Sequence, residues 1–113
     1  MFNKISIIGC GLIGSSILRV VVEKKLASKI SAYDKSSKVT DYLKKNFSVE
    51  ICSNISDVVK ESDLVIIASP LSSYKEILLS IQSNLKENVI LTDTGSAKKE
   101  VNKIINNLNL KNV

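Results

Sequence analysis

A short apolar stretch, Ile5 to Ile8, runs directly into Gly9-Cys10-Gly11-Leu12-Ile13-Gly14, and an acidic residue, Asp34, follows twenty positions after the last of those glycines. A chain that leaves a strand pattern, bends and enters a helical pattern within six residues needs backbone freedom and close approach at fixed places. Gly9 is expected to allow the tight bend off the strand and Gly11 to let the backbone approach a pyrophosphate. Gly14 is expected to let the helix pack close to the sheet. The helix, starting near Leu12 or Ile13, would present unpaired N–H groups and its positive dipole end to a diphosphate. Cys10, Leu12 and Ile13 complete the candidate cofactor-contacting turn. A glycine-rich strand-to-helix turn also occurs without a ligand, so the surrounding pattern carries the weight of the motif.

That pattern alternates. Strands are expected at Ile5–Ile8, Ile30–Tyr33, weakly near Val49–Cys52, at Leu64–Ala68 and at Val89–Thr92. Between them Ile13, Ile17, Val20 and Val21 fit one face of a helix, despite the β-branched run Val20-Val21-Val22. Val39, Tyr42 and Leu43 trace a shorter helical face. Ile77, Leu78, Ile81 and Leu85, and then Val101, Ile104, Ile105 and Leu108, trace two more. Strands alternating with helices imply parallel pairing, hence an α/β, three-layer, doubly wound sheet of the Rossmann type. No repeat or internal boundary interrupts residues 1–113, which read as a single dinucleotide-binding domain.

Asp34 follows Ile30-Ser31-Ala32-Tyr33 and is expected at the carboxyl end of the second strand, where its carboxylate can accept hydrogen bonds from ribose hydroxyls. This favours NAD over NADP, because a 2′-phosphate would meet a negative charge at close range, softened by Lys35 and Lys38. An Asp in a turn or capping the next helix is the competing account. The fourth strand leads into Ser69-Pro70-Leu71-Ser72-Ser73, on the sheet edge where ligands bind in open α/β folds. Ser69, Pro70 and Ser73 are therefore candidate cofactor contacts, with capping of the following helix an equal claim on Ser72 or Ser73.

Charge and cysteine usage exclude several classes. Fifteen of the sixteen basic residues are lysines, scattered rather than clustered with the five aromatics, so the net charge of +5 points to solvated helix faces rather than a nucleic-acid surface. It also provides a mildly positive field for an anionic cofactor. Cys10 and Cys52, with no histidine, do not make a structural zinc site and read as free thiols. No stretch approaches the roughly 18 continuous apolar residues of a membrane span. The first apolar run is already the strand leading into the glycines rather than a signal segment, so a cytoplasmic location is expected.

The fifth strand ends in Asp93-Thr94-Gly95-Ser96-Ala97-Lys98. Asp-Thr-Gly-Ser also occurs at the active-site turn of aspartic proteases, but that fold is all β with glycine-rich flaps, whereas three of the four glycines here lie in the first turn. Taken together, Gly9 to Ser16, Ala32-Tyr33-Asp34, Asp63 to Pro70 and Thr92 to Lys98 resemble the amino-terminal domain of prephenate dehydrogenases, with the related arogenate and cyclohexadienyl dehydrogenases. The resemblance spans almost the whole chain, and its last segment is the discriminating part.

The resemblance implies NAD-dependent oxidative decarboxylation of prephenate to 4-hydroxyphenylpyruvate, in tyrosine biosynthesis. It implies that Gly95 belongs to the cofactor contacts. Ser96 matches the family serine that hydrogen-bonds near the catalytic histidine and the nicotinamide, and a helix N-cap role for Ser96 stands beside that one. In the family the histidine lies in a Gly-His-Pro segment just after this region, and arginines of a helical carboxy-terminal domain hold the substrate carboxylates. This chain contains no histidine, and its one arginine, Arg19, falls in the first helix. The expectation is therefore a cofactor-binding piece of a longer enzyme, inactive alone, with prephenate or arogenate as substrate and a homodimer formed through the further domain. Another two-domain reductase, such as a 3-hydroxyacid dehydrogenase or a pyrroline-carboxylate reductase, and a nucleotide-sensing domain without catalysis are the alternatives.

Overall fold

The apolar runs become five strands and the helical faces become the layers around them. A computed structural model describes residues 2–93. The order is β1 (Phe2–Ile8), α1 (Leu12–Glu23), β2 (Ala27–Tyr33), α2 (Ser37–Asn46), β3 (Glu50–Ile51), α3 (Ile55–Val58), β4 (Leu64–Ile67), α4 (Tyr74–Ile81) and β5 (Ile90–Asp93). One-turn 3₁₀ segments at Leu71–Ser73 and Gln82–Asn84 flank α4. The strands form one sheet in the order β3-β2-β1-β4-β5, and every neighbouring pair is parallel. Chain order reverses direction between β1 and β4. In open α/β sheets that switch point is where ligands bind.

Both faces of the sheet are covered, which explains why β4, Leu64–Ile67, reads as a continuous apolar run rather than an alternating one. Ile5, Ile7 and Ile66 point to one face and pack with Leu18 and Val21 of α1 and Leu43 of α2. Ile8, Val65 and Ile67 point to the other and pack with Val58 of α3 and with Tyr74, Ile77, Leu78 and Ile81 of α4. The fold is thus the expected three-layer Rossmann arrangement.

Several local expectations shift. β1 and β2 each begin three residues earlier than their apolar cores suggest, and the weak third strand shrinks to two residues. Helix α3 is four residues long, too short for any periodicity to announce. On α1 Leu18 and Val21 are buried, while Val20 is 47% exposed; on α2 Leu43 is buried and Tyr42 is 44% exposed. In both cases the spacing alone places a neighbouring apolar residue, Val20 or Tyr42, on the buried face, and the phase of the helix against the sheet decides between neighbours. The helical face from Val101 to Leu108 lies outside the described residues.

Below the sheet's amino-terminal edge, buried polar groups close on one another. Ser6 Oγ donates to the Val58 carbonyl at 2.5 Å and lies 2.5 Å from Ser62 Oγ, and all three residues are buried. The Lys4 ammonium reaches the Lys60 carbonyl at 2.6 Å, so its largely buried side chain keeps a polar partner.

Candidate functional site

The glycine turn sits at the carboxyl ends of β1, β2 and β4, and its three glycines do three different jobs. Gly9 has φ +83°, a left-handed conformation that side chains disfavour. A Cβ there would also fall 2.3 Å from Ser69 Oγ and 2.9 Å from the Ser69 nitrogen. Gly14 lies within α1, and a Cβ on it would fall 2.1 Å from the Gly9 carbonyl oxygen and 3.3 Å from Ala68 Cβ. The close packing expected of Gly14 is therefore against the turn itself and the end of β4. Gly11, the N-cap of α1, is different: among the described residues nothing lies within 4 Å of a Cβ placed there. Its missing side chain leaves space in front of the helix N-terminus, with Leu12 and Ile13 forming the first turn behind it.

Asp34 joins β2 to this turn. One carboxylate oxygen accepts the Cys10 N–H at 2.7 Å, and the other accepts the Ser36 N–H at 2.8 Å. The turn role set against ribose binding for this residue is thus realised, and it comes with a long-range bond to the glycine turn. A carboxylate offers about four acceptor positions, so two such bonds leave it able to accept hydroxyls as well. The turn is further fixed by the Gly9 N–H on the Tyr33 carbonyl at 2.8 Å and by Ser15 Oγ on the Cys10 carbonyl at 2.7 Å.

Cys10 fills the space beneath the turn. It is buried, and its Sγ lies 3.8 Å from the carbonyl oxygens of Ile7 and Tyr33. Burial, followed by the nearby Asp34 charge, pushes its thiol up to about 12, so the neutral, unreactive form dominates. Cys52, after β3, is partly buried and its thiol is pushed up to about 11 by burial and then by the Glu50 side chain. Both cysteines are free, as their spacing suggested.

At the end of β4, Ala68 donates its N–H to the Ile8 carbonyl at 2.8 Å, which brings Ser69 over Gly9 on the same edge. Pro70 opens the 3₁₀ segment, and its carbonyl accepts the Ser73 N–H at 2.9 Å. Ser73 occupies the N-cap of α4, although among the described residues its side chain makes no capping bond. Gly95 and Ser96 lie outside the described residues.

A cavity of about 470 Å³, which no motif of the sequence announces, lies beside the turn, between α1 and α2. Cys10, Gly11, Ser15, Ser16 and Arg19 line it from one side, and Lys38, Val39 and Tyr42 from the other. The Arg19 guanidinium stands over the Phe47 ring, 5.5 Å from its centroid. The signal available in the sequence was helical spacing: Ser15 to Arg19 and Lys38 to Tyr42 are each one helical turn apart, on neighbouring helices.

Residues 4–96 match the model of a family described as NADP oxidoreductase coenzyme F420-dependent. The chain belongs to that family. It is 37% identical over 106 residues to a cyclohexadienyl dehydrogenase of Zymomonas mobilis, covering 93% of this chain and 36% of that protein. It is 36% identical over 101 residues to an L-aspartate dehydrogenase of Methanocaldococcus jannaschii, covering 87% of this chain and 38% of the relative. Among solved structures, prephenate dehydrogenase from A. aeolicus, in complex with hydroxyphenyl propionate and NAD+, superposes with a TM-score of 0.82 at 25% identity, over 94% of this chain and 38% of that one. The resemblance to prephenate and cyclohexadienyl dehydrogenases drawn from the motifs is thereby met over nearly the whole chain. The chain spans little more than a third of the length of these relatives. Among the described residues no helix is long and apolar enough to cross a membrane, and no cluster of His, Cys, Asp or Glu is arranged to hold a metal ion.

Proposed function

We propose that this chain is the NAD-binding part of a prephenate or arogenate dehydrogenase. The observation that carries the reading is the pairing of an open approach at Gly11, in front of the α1 N-terminus, with the Asp34 carboxylate anchored beside it. Backbone N–H groups at the start of α1 would hold the diphosphate, and Gly11 would let it come close. Asp34 would accept the ribose hydroxyls, which favours NAD. Ser69, Pro70 and Ser73, at the end of β4, would border the ribose and nicotinamide half, with Gly95 and Ser96 following β5.

NAD, when bound, supplies the hydride acceptor. The residues of this chain hold and orient it, and Ser96 would hydrogen-bond near the nicotinamide. The general base and the clamp on the substrate carboxylates are assigned to residues beyond these 113, as are dimerisation and the choice between prephenate and arogenate. The whole enzyme would convert prephenate to 4-hydroxyphenylpyruvate in the cytoplasm.

Two measurements test this. Calorimetric titration of the chain should show NAD binding tighter than NADP, and a preference for NADP would overturn the role given to Asp34. In a protein extended through the relatives' remaining length, prephenate or arogenate should drive NADH formation. A folded extended protein that oxidises L-aspartate instead would transfer the assignment to the other relative.

A further inference from the structure

Three successive peptide units of the glycine turn are each fixed by a bond from a different part of the fold. The Gly9 N–H is held by the Tyr33 carbonyl of β2, at 2.8 Å, and the Cys10 N–H by the Asp34 carboxylate, at 2.7 Å. Both N–H groups are thus occupied within the chain. The third unit, between Cys10 and Gly11, is held by its other end: Ser15 Oγ, in the first turns of α1, donates to the Cys10 carbonyl at 2.7 Å. In a planar trans unit the N–H points opposite to the C=O, and among the described residues no peptide bond is cis. A carbonyl drawn toward Ser15 therefore turns the Gly11 N–H away from Ser15, and among the described residues no backbone acceptor takes it.

The glycine makes this bond necessary. Turning a peptide unit over changes φ of the residue after it by roughly half a turn, which from the −66° of Gly11 gives a positive value that a side chain resists and glycine accepts. The residue that leaves room for a diphosphate thus also lets the unit in front of it turn over. A unit turned that way would present the Cys10 carbonyl to the anion in place of an N–H. The bonds from Tyr33 and Asp34 act on the two units before it, and Ser15 is the only side chain bonded to this one among the described residues.

We propose that Ser15 is a positioning residue for the dinucleotide: by holding the Cys10 carbonyl it keeps the Gly11 N–H turned outward to meet the diphosphate. The proposal rests on the dinucleotide reading above and deepens it, separating the room given by Gly11 from the direction given by Ser15. In this role Ser15 acts through the Gly11 peptide rather than on the cofactor.

The chain has four glycines, so a protein isotopically labelled at glycine nitrogen gives four amide resonances, and Gly11→Ala identifies the one that matters. In Ser15→Ala the Gly11 resonance should shift or split while that of Gly9, held by Tyr33, stays in place, and Ser15→Thr, whose hydroxyl can make the same bond, should restore it. By calorimetry NAD affinity should fall about fivefold in Ser15→Ala and return to within about twofold of wild type in Ser15→Thr. Alanine and threonine both fit a helix beside the cavity that Ser15 borders, and matched melting curves check folding. A Ser15→Ala protein that binds NAD as the wild type does overturns the proposal, as does one that binds weakly with its Gly11 resonance unmoved, or a Ser15→Thr protein as weak as Ser15→Ala. Those outcomes leave the dinucleotide reading standing, whereas a wild-type chain that binds no NAD overturns that reading too.

Discussion

At the amino-terminal edge of the sheet the Asp63 carboxylate accepts the Asn3 N–H at 2.6 Å, the Lys4 N–H at 3.3 Å and the Lys86 ammonium. It thereby ties β1 to β4 and to the approach to β5. At the carboxyl-terminal edge Asp34 occupies the matching place at the end of β2, yet it accepts two backbone N–H groups and faces a turn whose central glycine opens on unfilled space. One edge satisfies its charges within the chain. The other fixes only its own backbone and keeps acceptor positions and helix N–H groups for something else. The contrast supports placing the proposed nucleotide site at the second edge, without appeal to any relative.

The strongest way to break this comparison is to fill the glycines. Gly14→Ala drives a Cβ into the Gly9 carbonyl, a clash of backbone against helix that no flexible side chain can relieve, and should cost roughly 3 kcal/mol of stability and abolish dinucleotide binding. Among the described residues Gly11→Ala meets nothing, and the exchange of a glycine N-cap for alanine should lower stability by no more than about 1 kcal/mol while NAD affinity falls at least about tenfold. Thermal melts and titrations of both proteins decide it. If Gly11→Ala binds NAD normally, the open space at Gly11 is not a ligand approach.

Asp34→Ala is expected to have the next largest effect. It strips the Cys10 and Ser36 N–H groups of their acceptor, which should cost about 1–3 kcal/mol, and it should lower the affinity for NAD and NADP together because the turn itself loosens. A variant that only exchanges cofactor preference, with unchanged melting, would reduce Asp34 to a ribose contact and erase the parallel with Asp63.

Much of this edge was legible in the residues, and the part that was not has a common cause. Glycine spacing, the acid after Tyr33 and the uniform run Leu64–Ile67 are local patterns, and each fell where the sequence placed it. The contact of Ser69 with Gly9, the bond from Asp34 back to Cys10 and the cavity between α1 and α2 join residues from separate crossovers, and nothing within either segment announces the partner. The same holds for Leu18 against Val20: both are apolar, both lie on α1, and only the sheet beneath selects which is buried.

The amino-terminal edge gives a pH test. The Lys86 side chain, then the Asn3 N–H, hold the Asp63 carboxyl below its ordinary range, near 4 for a free aspartate. A lowered folded value means that its contribution is fully present above about pH 4 and is lost as pH falls through that lowered value. Asp63→Asn should therefore melt below wild type at pH 7, and the gap should close progressively under acid. NAD affinity of the variant at pH 7 should equal that of wild type, since the edge it loosens is the one without the site. A coupled loss of NAD binding would show that the two edges do not act separately.

The smallest expected effect concerns the thiols, and it asks how closed the turn is beneath its open face. A thiol pushed up to about 12, as in Cys10, or to about 11, as in Cys52, supplies almost no thiolate at pH 8, so both should react slowly with a disulfide reagent. Exposure separates them: Cys52 is partly accessible, whereas Cys10 is 1% exposed and lies under a backbone held by Asp34. Two kinetic phases are expected, Cys52 first, with Cys10 reacting only as the turn opens. The proposed nucleotide, bound across Gly11, would stabilise the closed turn and should slow the second phase alone. A single phase, or a second phase indifferent to NAD, would mean that the turn opens independently of its ligand. The distinction between a fixed backbone and an open approach would then fail at the edge where it was drawn.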